Sequence, residues 1–277
     1  MRSVRIRLFV ALLIPFVVGR IAAGQADPGP KLGLQTWTCR KMTFEQVVEF
    51  ASSHKIKYLE LTPWHLNPNA PKPEILRKKA LLEQHGLVAY AFGVNFPGTD
   101  KEANRKLFEL ARLMGMKMIV VEPTRPAAWD NLEKLVKEYD IRLAIHNHGA
   151  GSEYADPAAV KRVLAARDPR IGVCLDIGWV TAAGFDAAKV FREYGDRVFD
   201  IHLKDKKFRN EDGESRWSDT ALGEGSANLT GVFDEVRKTG WSGVMAIEND
   251  REPNGVVSGS IAFFRAHAHV TGSSPAP

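Results

Sequence analysis

From Lys31 onward the chain alternates short apolar runs with longer amphipathic ones eight times, and no low-complexity linker interrupts the alternation. The period-2 runs predict strands over about 32–37, 57–62, 87–94, 117–122, 141–148, 171–176, 198–204 and 243–248. The period-3.6 runs predict helices over about 43–54, 71–85, 100–115, 127–139, 156–166, 186–194, 228–239 and 258–267. Thr43 and the pair Asp156-Pro157 open helices as an N-cap and as proline in the first turn. Gly86, Gly115 and Gly240 follow helices where a left-handed residue is wanted. Eight consecutive βα units predict a single closed (β/α)8 TIM barrel over residues 31–270, an α/β fold that roughly 250 residues suit.

Successive side chains on a strand face opposite ways. Ile119, Val121, Leu143, Ile145, Phe199, Ile201, Met245 and Ile247 are apolar and are expected to face the helices. The alternate positions face the barrel axis, small or apolar low down, as at Ala144, Cys174 and Ala246. Near the C-terminal ends of the strands they turn polar, so Glu60, Glu122, His146, Asp176, His202 and Glu248 are expected to ring the top of the barrel, the face where active sites of this fold lie.

The sharpest segment of that ring runs from Arg142 to Gly149, where Leu143-Ala144-Ile145 delivers His146 and His148 onto one face. The same grammar closes other strands on Glu122, Asp176, His202 and Glu248. Asp176, His202 and Glu248, with an imidazole from His146 or His148, make a mixed nitrogen and oxygen donor set that suits one divalent Mn, Co, Zn or Fe ion. A plain ion-pair network would crowd desolvated carboxylates together, which is costly without a cation. Glu60 and His65 are placed to line the opposite wall and meet sugar hydroxyls, Trp64 to offer an apolar ring face, and Lys204 to reach a substrate oxygen. The longest interruption, Lys206 to Asn228, is expected to be a lid or a substrate-binding loop. Its Gly223-Glu224-Gly225 is too slight a glycine pattern to be a phosphate cradle.

Residues 1–24 stand apart from the barrel. Arg2, Arg5 and Arg7 precede the apolar run Leu8 to Val18 and the small residues Ala22-Ala23-Gly24, the pattern of a secretory signal peptide, and the run is too short to span a bilayer as a helix. A periplasmic or secreted location is expected, with membrane contact confined to that segment. The formal charge of +5 includes Arg2, Arg5, Arg7 and Arg20; without them 34 cationic side chains face 33 anionic ones, leaving +1. With no Lys/Arg run in the body either, nucleic acid is not an expected partner. Cys39 falls in a loop and Cys174 in a strand, which argues against a disulfide framework. Residues 271–277 read as a loose Ser/Pro tail, and oligomerisation is left open.

Asp176-Ile177-Gly178, His202-Leu203-Lys204-Asp205 and Ile247-Glu248 on successive strands resemble the xylose isomerase-like TIM barrels, the sugar phosphate isomerase/epimerase superfamily, over nearly the whole chain after the leader. Ala144 to Gly149 and Phe92-Gly93-Val94 are similar to a secreted bacterial branch that includes 3-keto-glycoside lyases and hydratases. The resemblance implies a metal-dependent sugar isomerase, epimerase or keto-sugar lyase that abstracts an α-proton through a metal-stabilised enediolate. It implies His146, Asp176, His202 and Glu248 as metal ligands, and Glu122, His148 and Glu248 as the groups that move the proton. His146 stands where most relatives carry Glu, which leaves Glu122 and His148 as rival ligands. Trp179 stands where a His is expected after Asp-x-Gly, a departure that also fits a catalytically silent sugar-binding barrel. An endonuclease IV-like metal hydrolase is disfavoured by export and by the near-zero charge.

Overall fold

The computed structural model describes residues 29–211 and 214–268. The leader expected over residues 1–24 and the tail expected from residue 271 lie outside the described residues. In chain order the strands are β1 (Lys31–Gln35), β2 (Tyr58–Leu61), β3 (Val88–Asn95), β4 (Met118–Val121), β5 (Arg142–His146), β6 (Ile171–Asp176), β7 (Val198–Leu203), β8 (Asp205–Glu211), β9 (Glu214–Thr220) and β10 (Val244–Ile247). All but β8 and β9 close a parallel barrel in the order β1-β10-β7-β6-β5-β4-β3-β2. The helices are α1 (Phe44–Ser53), α2 (Lys72–Gln84), α3 (Lys101–Met114), α4 (Trp129–Tyr139), α5 (Pro157–Ala165), α6 (Ile177–Ala182), α7 (Ala187–Tyr194), α8 (Leu229–Thr239) and α9 (Pro253–Ala268). Among the described residues no helix is long and apolar enough to cross a membrane.

Helix ends follow the local chemistry. Thr43 and Gln46 form a capping box at α1, each side chain bonding the other's backbone N–H at 3.2 and 2.8 Å. Asp100 accepts from the N–H groups of Glu102 and Ala103 to open α3, and Gly115 ends it at φ 81°. The barrel then separates two apolar regions. Ile119, Val121, Leu143, Ile145, Ile201, Met245 and Ile247 pack in the large cluster with the helices, whereas Ala91, Met118, Val120, Ala144 and Cys174 fill the inside.

Three features depart from the expected pattern. Phe199 faces the interior cluster, because the β6–β7 register jumps from Val173↔Val198 to Cys174↔Asp200 and leaves it as the extra residue of a bulge. Its ring lies beneath the Arg142 guanidinium, 5.0 Å from the centroid. Helix α6 has only six residues, too few to establish a helical period in sequence. The long interruption is largely an antiparallel hairpin, β8 paired with β9, rather than an irregular loop. Its return segment is tied down by Asp205, whose carboxylate accepts the N–H groups of Gly223, Gly225 and Ala227 at 3.0, 2.8 and 3.1 Å. A Cβ on Gly225 would stand 2.0 Å from Asp205 Oδ1, so only glycine permits this approach. The two glycines thus cradle the chain's own carboxylate.

Candidate metal centre

At the C-terminal mouth of the barrel β5, β6, β7 and the end of β10 bring His146, Asp176, His202 and Glu248 together. One donor atom from each lies within 4.8 Å of all the others. His202 Nδ1 is 2.6 Å from Glu248 Oε2 and 3.9 Å from Asp176 Oδ2, and His146 Nε2 is 3.6 Å from Asp176 Oδ2. All four side chains are buried, yet His146 Nε2, Asp176 Oδ2, His202 Nδ1 and Glu248 Oε2 have no hydrogen-bond partner among the described residues. Buried polar atoms are ordinarily paired. Four orphaned atoms aimed at one point, two imidazole nitrogens and two carboxylate oxygens, fit a divalent cation, whose coordination would satisfy them together.

Neighbouring groups prepare each donor. Asp176 Oδ1 accepts the Trp179 N–H at 2.8 Å, which caps α6 and leaves Oδ2 free. Asn147 spans the gap between β5 and β6, donating to the Asp176 carbonyl and accepting the Asp176 N–H, at 3.1 and 3.0 Å. Lys204, 2% exposed, donates to Glu248 Oε1 at 2.8 Å and stands 3.5 Å from Asp176 Oδ2. Burial alone would raise the Glu248 carboxyl, but Lys204 and His202 reverse that and hold it well below its ordinary range. Asp176 is likewise lowered against burial, chiefly by Lys204. Burial opposes a charge on Lys204, and Glu248 and Asp176 outweigh it, keeping the ammonium protonated. His146 is pushed down by burial and by His148. Burial opposes a charge on His202, and Cys174, Glu60 and Glu248 together outweigh it and raise it well above its usual value.

Beside this quartet Glu122, His146 and His148 form a second cluster. His148 Nδ1 is in short contact with Glu122 Oε2, and Ser152 donates to Glu122 Oε1 at 2.5 Å. Burial favours a neutral Glu122, but His148 and Ser152 hold it below its ordinary range as a carboxylate. The cavity above has a volume of about 400 Å³ and is lined by His148, Lys204 and Glu248 with the aromatic side chains of Trp37, Trp64, Phe96 and Trp179. Trp64 and Phe96 are exposed at its edge, and Trp37 meets Trp64 edge-on with centroids 5.6 Å apart. Trp37 is locked by its Nε1–H donated to Asp250 Oδ1 at 2.6 Å.

Two of the residues expected to meet sugar hydroxyls lie elsewhere. His65 is 3% exposed; its Nδ1 faces Thr62 Oγ1 at 3.3 Å and its Nε2 the Met42 carbonyl at 3.2 Å, so it packs behind the wall and does not line the cavity. Glu60 is fully buried beneath His202, with Oε2 2.7 Å from His202 Nε2, and it too is absent from the cavity lining. Trp179 fills the space of the expected His with an indole that lies over the Lys206 ammonium, 3.6 Å from the ring centroid. Sequence reasoning missed Asp200, Asp250 and Lys206. The first two stand two residues from His202 and Glu248, so the alternation that selected those ligands could also have selected them.

Over 137 aligned residues the chain is 23% identical to an inosose dehydratase of Lacticaseibacillus casei, covering 44% of this chain and 46% of that protein. The match thus spans less than half the length of that relative. Among solved structures, a D-allulose 3-epimerase from Methylomonas sp. superposes with a TM-score of 0.67 at 14% identity, covering 87% of this chain and 98% of the other. The IOLI protein with a bound zinc atom gives a TM-score of 0.64 at 16% identity, covering 86% and 96%. At these identities the likeness is one of fold. Residues 48–267 match the model of the xylose isomerase-like TIM barrel, and the chain belongs to that family.

Proposed function

We propose that the protein is a metal-dependent enzyme acting on sugars by abstraction of the proton next to a carbonyl, giving isomerisation, epimerisation or elimination. The observation that carries this reading is the convergence of four buried donor atoms of His146, Asp176, His202 and Glu248 that lack hydrogen-bond partners among the described residues, with Glu248 also lining a cavity with aromatic walls. A dehydratase and an epimerase among the similar proteins, and zinc in a third, agree with it. A bound divalent ion, Mn, Co, Zn or Fe, supplies polarisation of a carbonyl oxygen and stabilises the negative charge that develops there.

The chain's own residues supply the rest. Glu122 holds His148 by Nδ1, which leaves Nε2 as the basic nitrogen to take up the proton. Lys204 lines the cavity with a protonated amine that can donate to a substrate oxygen while it screens Glu248. Trp37, Trp64 and Trp179 offer apolar faces to a sugar ring and exclude water. A proton returned to the opposite face of its carbon epimerises the sugar; returned to the neighbouring carbon, it isomerises it. Loss of a β-leaving group completes elimination.

Incubation of the metal-loaded protein in D2O with a panel of ketoses, aldoses and 3-keto-glycosides, followed by NMR, tests the reading. Exchange of the α-proton is expected, and it should vanish in metal-retaining His148→Ala and Glu122→Gln variants. No exchange across the panel with metal bound would instead support a silent sugar-binding barrel, the reading that Trp179 favours. Export to the periplasm or medium is proposed from residues 1–24 alone, and N-terminal sequencing of the protein from the producing cells tests it.

A further inference from the structure

Below the metal donors lies a second polar layer that a barrel interior has no packing reason to hold. Glu60, Asp200 and His202 are each 0% exposed, and Tyr90 packs with them. Tyr90 Oη donates to both oxygens of Asp200 at 3.1 Å and stands 3.4 Å from Glu60 Oε2. Glu60 Oε2 is 2.7 Å from His202 Nε2. The other oxygen, Glu60 Oε1, has no partner among the described residues. A Cβ on Gly93 would stand 2.4 Å from Val120 Cβ and 3.0 Å from that oxygen, so the bare glycine makes room first for Val120 and also for the carboxylate. Replacing buried polar groups of this kind with apolar ones of similar volume is often neutral or stabilising, so stability does not explain their presence.

The two nitrogens of His202 point at different things. Nε2 faces Glu60, and Nδ1 faces the point shared by Asp176 Oδ2 and Glu248 Oε2. A neutral imidazole has one N–H and one lone pair. Carboxylate oxygens flank both nitrogens, Glu60 Oε2 at 2.7 Å from Nε2 and Glu248 Oε2 at 2.6 Å from Nδ1, and a cation held on the Glu248 side would leave the proton on Nε2. We infer that Glu60 is a positioning residue for the metal centre: by accepting the Nε2–H of His202 it fixes the tautomer and ring orientation that present the Nδ1 lone pair to the cation. Tyr90 Oη, bonded to Asp200 and 3.4 Å from Glu60 Oε2, links the two carboxyl groups beneath the ligand. This inference rests on the metal site proposed above. It also gives Glu60 a function that needs no contact with substrate.

The test is zinc affinity of the whole chain, measured by chelator competition for the wild type and for Glu60→Gln, Glu60→Leu and Asp200→Asn. Loss of the partner of a metal-bound histidine typically weakens metal about 10- to 100-fold. Glu60→Leu, with no acceptor, is expected at the upper end of that range; Glu60→Gln, which can still present an oxygen to Nε2–H, at or below the lower end. Asp200→Asn, which leaves the Glu60–His202 contact intact, should stay within a few-fold of wild type. In the zinc-loaded wild type, ¹⁵N-imidazole NMR should show His202 protonated at Nε2, and Glu60→Leu should lose that protected proton. Circular dichroism establishes that each variant is folded; if Glu60→Leu fails to fold, Glu60→Gln and the wild-type tautomer decide. Zinc bound with wild-type affinity by folded Glu60→Leu overturns the inference and leaves the metal site standing, and a zinc-loaded wild-type His202 protonated at Nδ1 overturns the inference and removes His202 from the ligands. A wild-type protein that binds no divalent ion overturns both.

Discussion

Asp176 and Trp179 are joined by a bond that uses only half of the aspartate: Oδ1 accepts the Trp179 backbone N–H at 2.8 Å, while Oδ2, on the same buried carboxylate, has no hydrogen-bond partner among the described residues. Helix capping and the proposed metal ligation therefore fall on separate oxygens. Asparagine caps helices about as well as aspartate but carries no charge. The Asp176→Asn variant is expected to lose its metal while its metal-free stability stays within about 1 kcal/mol of wild type. Elemental analysis with urea melts of the stripped proteins checks this, and metal retained in the variant would remove Asp176 from the ligand set.

The pH dependence of metal binding follows from His202. In the metal-free protein its pKa is raised well above 6.5 by anionic surroundings that outweigh burial, so the cation must displace a proton. Affinity should rise with pH, about tenfold per pH unit while that one proton is displaced, and level off above the His202 pKa. The sign for stability is the reverse. A folded-state pKa above the unfolded one gives the metal-free protein stability that is full below pH 6.5 and lost as pH climbs through the folded value. Calorimetry in buffers of different ionisation heat reads the proton released; no release at pH 6.5 would contradict a protonated His202.

Lys204 holds the buried carboxylates of Glu248 and Asp176 apart from full repulsion, at 2.8 and 3.5 Å. Removing one partner of such a buried set leaves uncompensated charge, which costs about 3–5 kcal/mol. Lys204→Met is expected to lose stability in that range when metal-free and to recover much of it on zinc addition, because the dication replaces the missing charge. Denaturation midpoints with and without zinc test the pair of effects. A metal-free variant as stable as wild type would mean that Lys204 does not neutralise the donors.

Trp179 covers the Lys206 ammonium, which is 2% exposed and also bonded to Asp219. A desolvated cation–π contact contributes about 2 kcal/mol. Trp179→His should therefore lose roughly that much stability and bind zinc as before, since the indole holds no donor in the quartet. Chemical denaturation and metal analysis read the two outcomes separately, and a stability gain would show that the indole is strained there.

The barrel was legible because its signal is repeated. Eight alternations of period 2 and period 3.6 each report the same local geometry, and an error of two residues at any boundary leaves the count of βα units unchanged. The candidate metal donors were legible for a related reason: His146, Asp176, His202 and Glu248 each end an apolar run, so strand parity alone sends them inward. Where parity broke, the reading broke with it, as at Phe199, which a bulge turned to the inner side.

Depth and partnership were not legible. Glu60 and His202 are 142 positions apart in sequence, yet their side chains meet at 2.7 Å because closure of the barrel brings β2 within three strands of β7 and turns both residues inward. Parity says that Glu60 points inward but not whether it reaches the cavity or stops beneath a ligand. His65 likewise gave no sign that Thr62 and the Met42 carbonyl would occupy both its nitrogens. The sequence by itself determined the eightfold barrel and which side chains turn toward its axis, since both follow from backbone periodicity within single strands. Only the tertiary structure decided which of them share a point, which are orphaned and which serve another residue, because shear between strands and closure of the barrel set those distances.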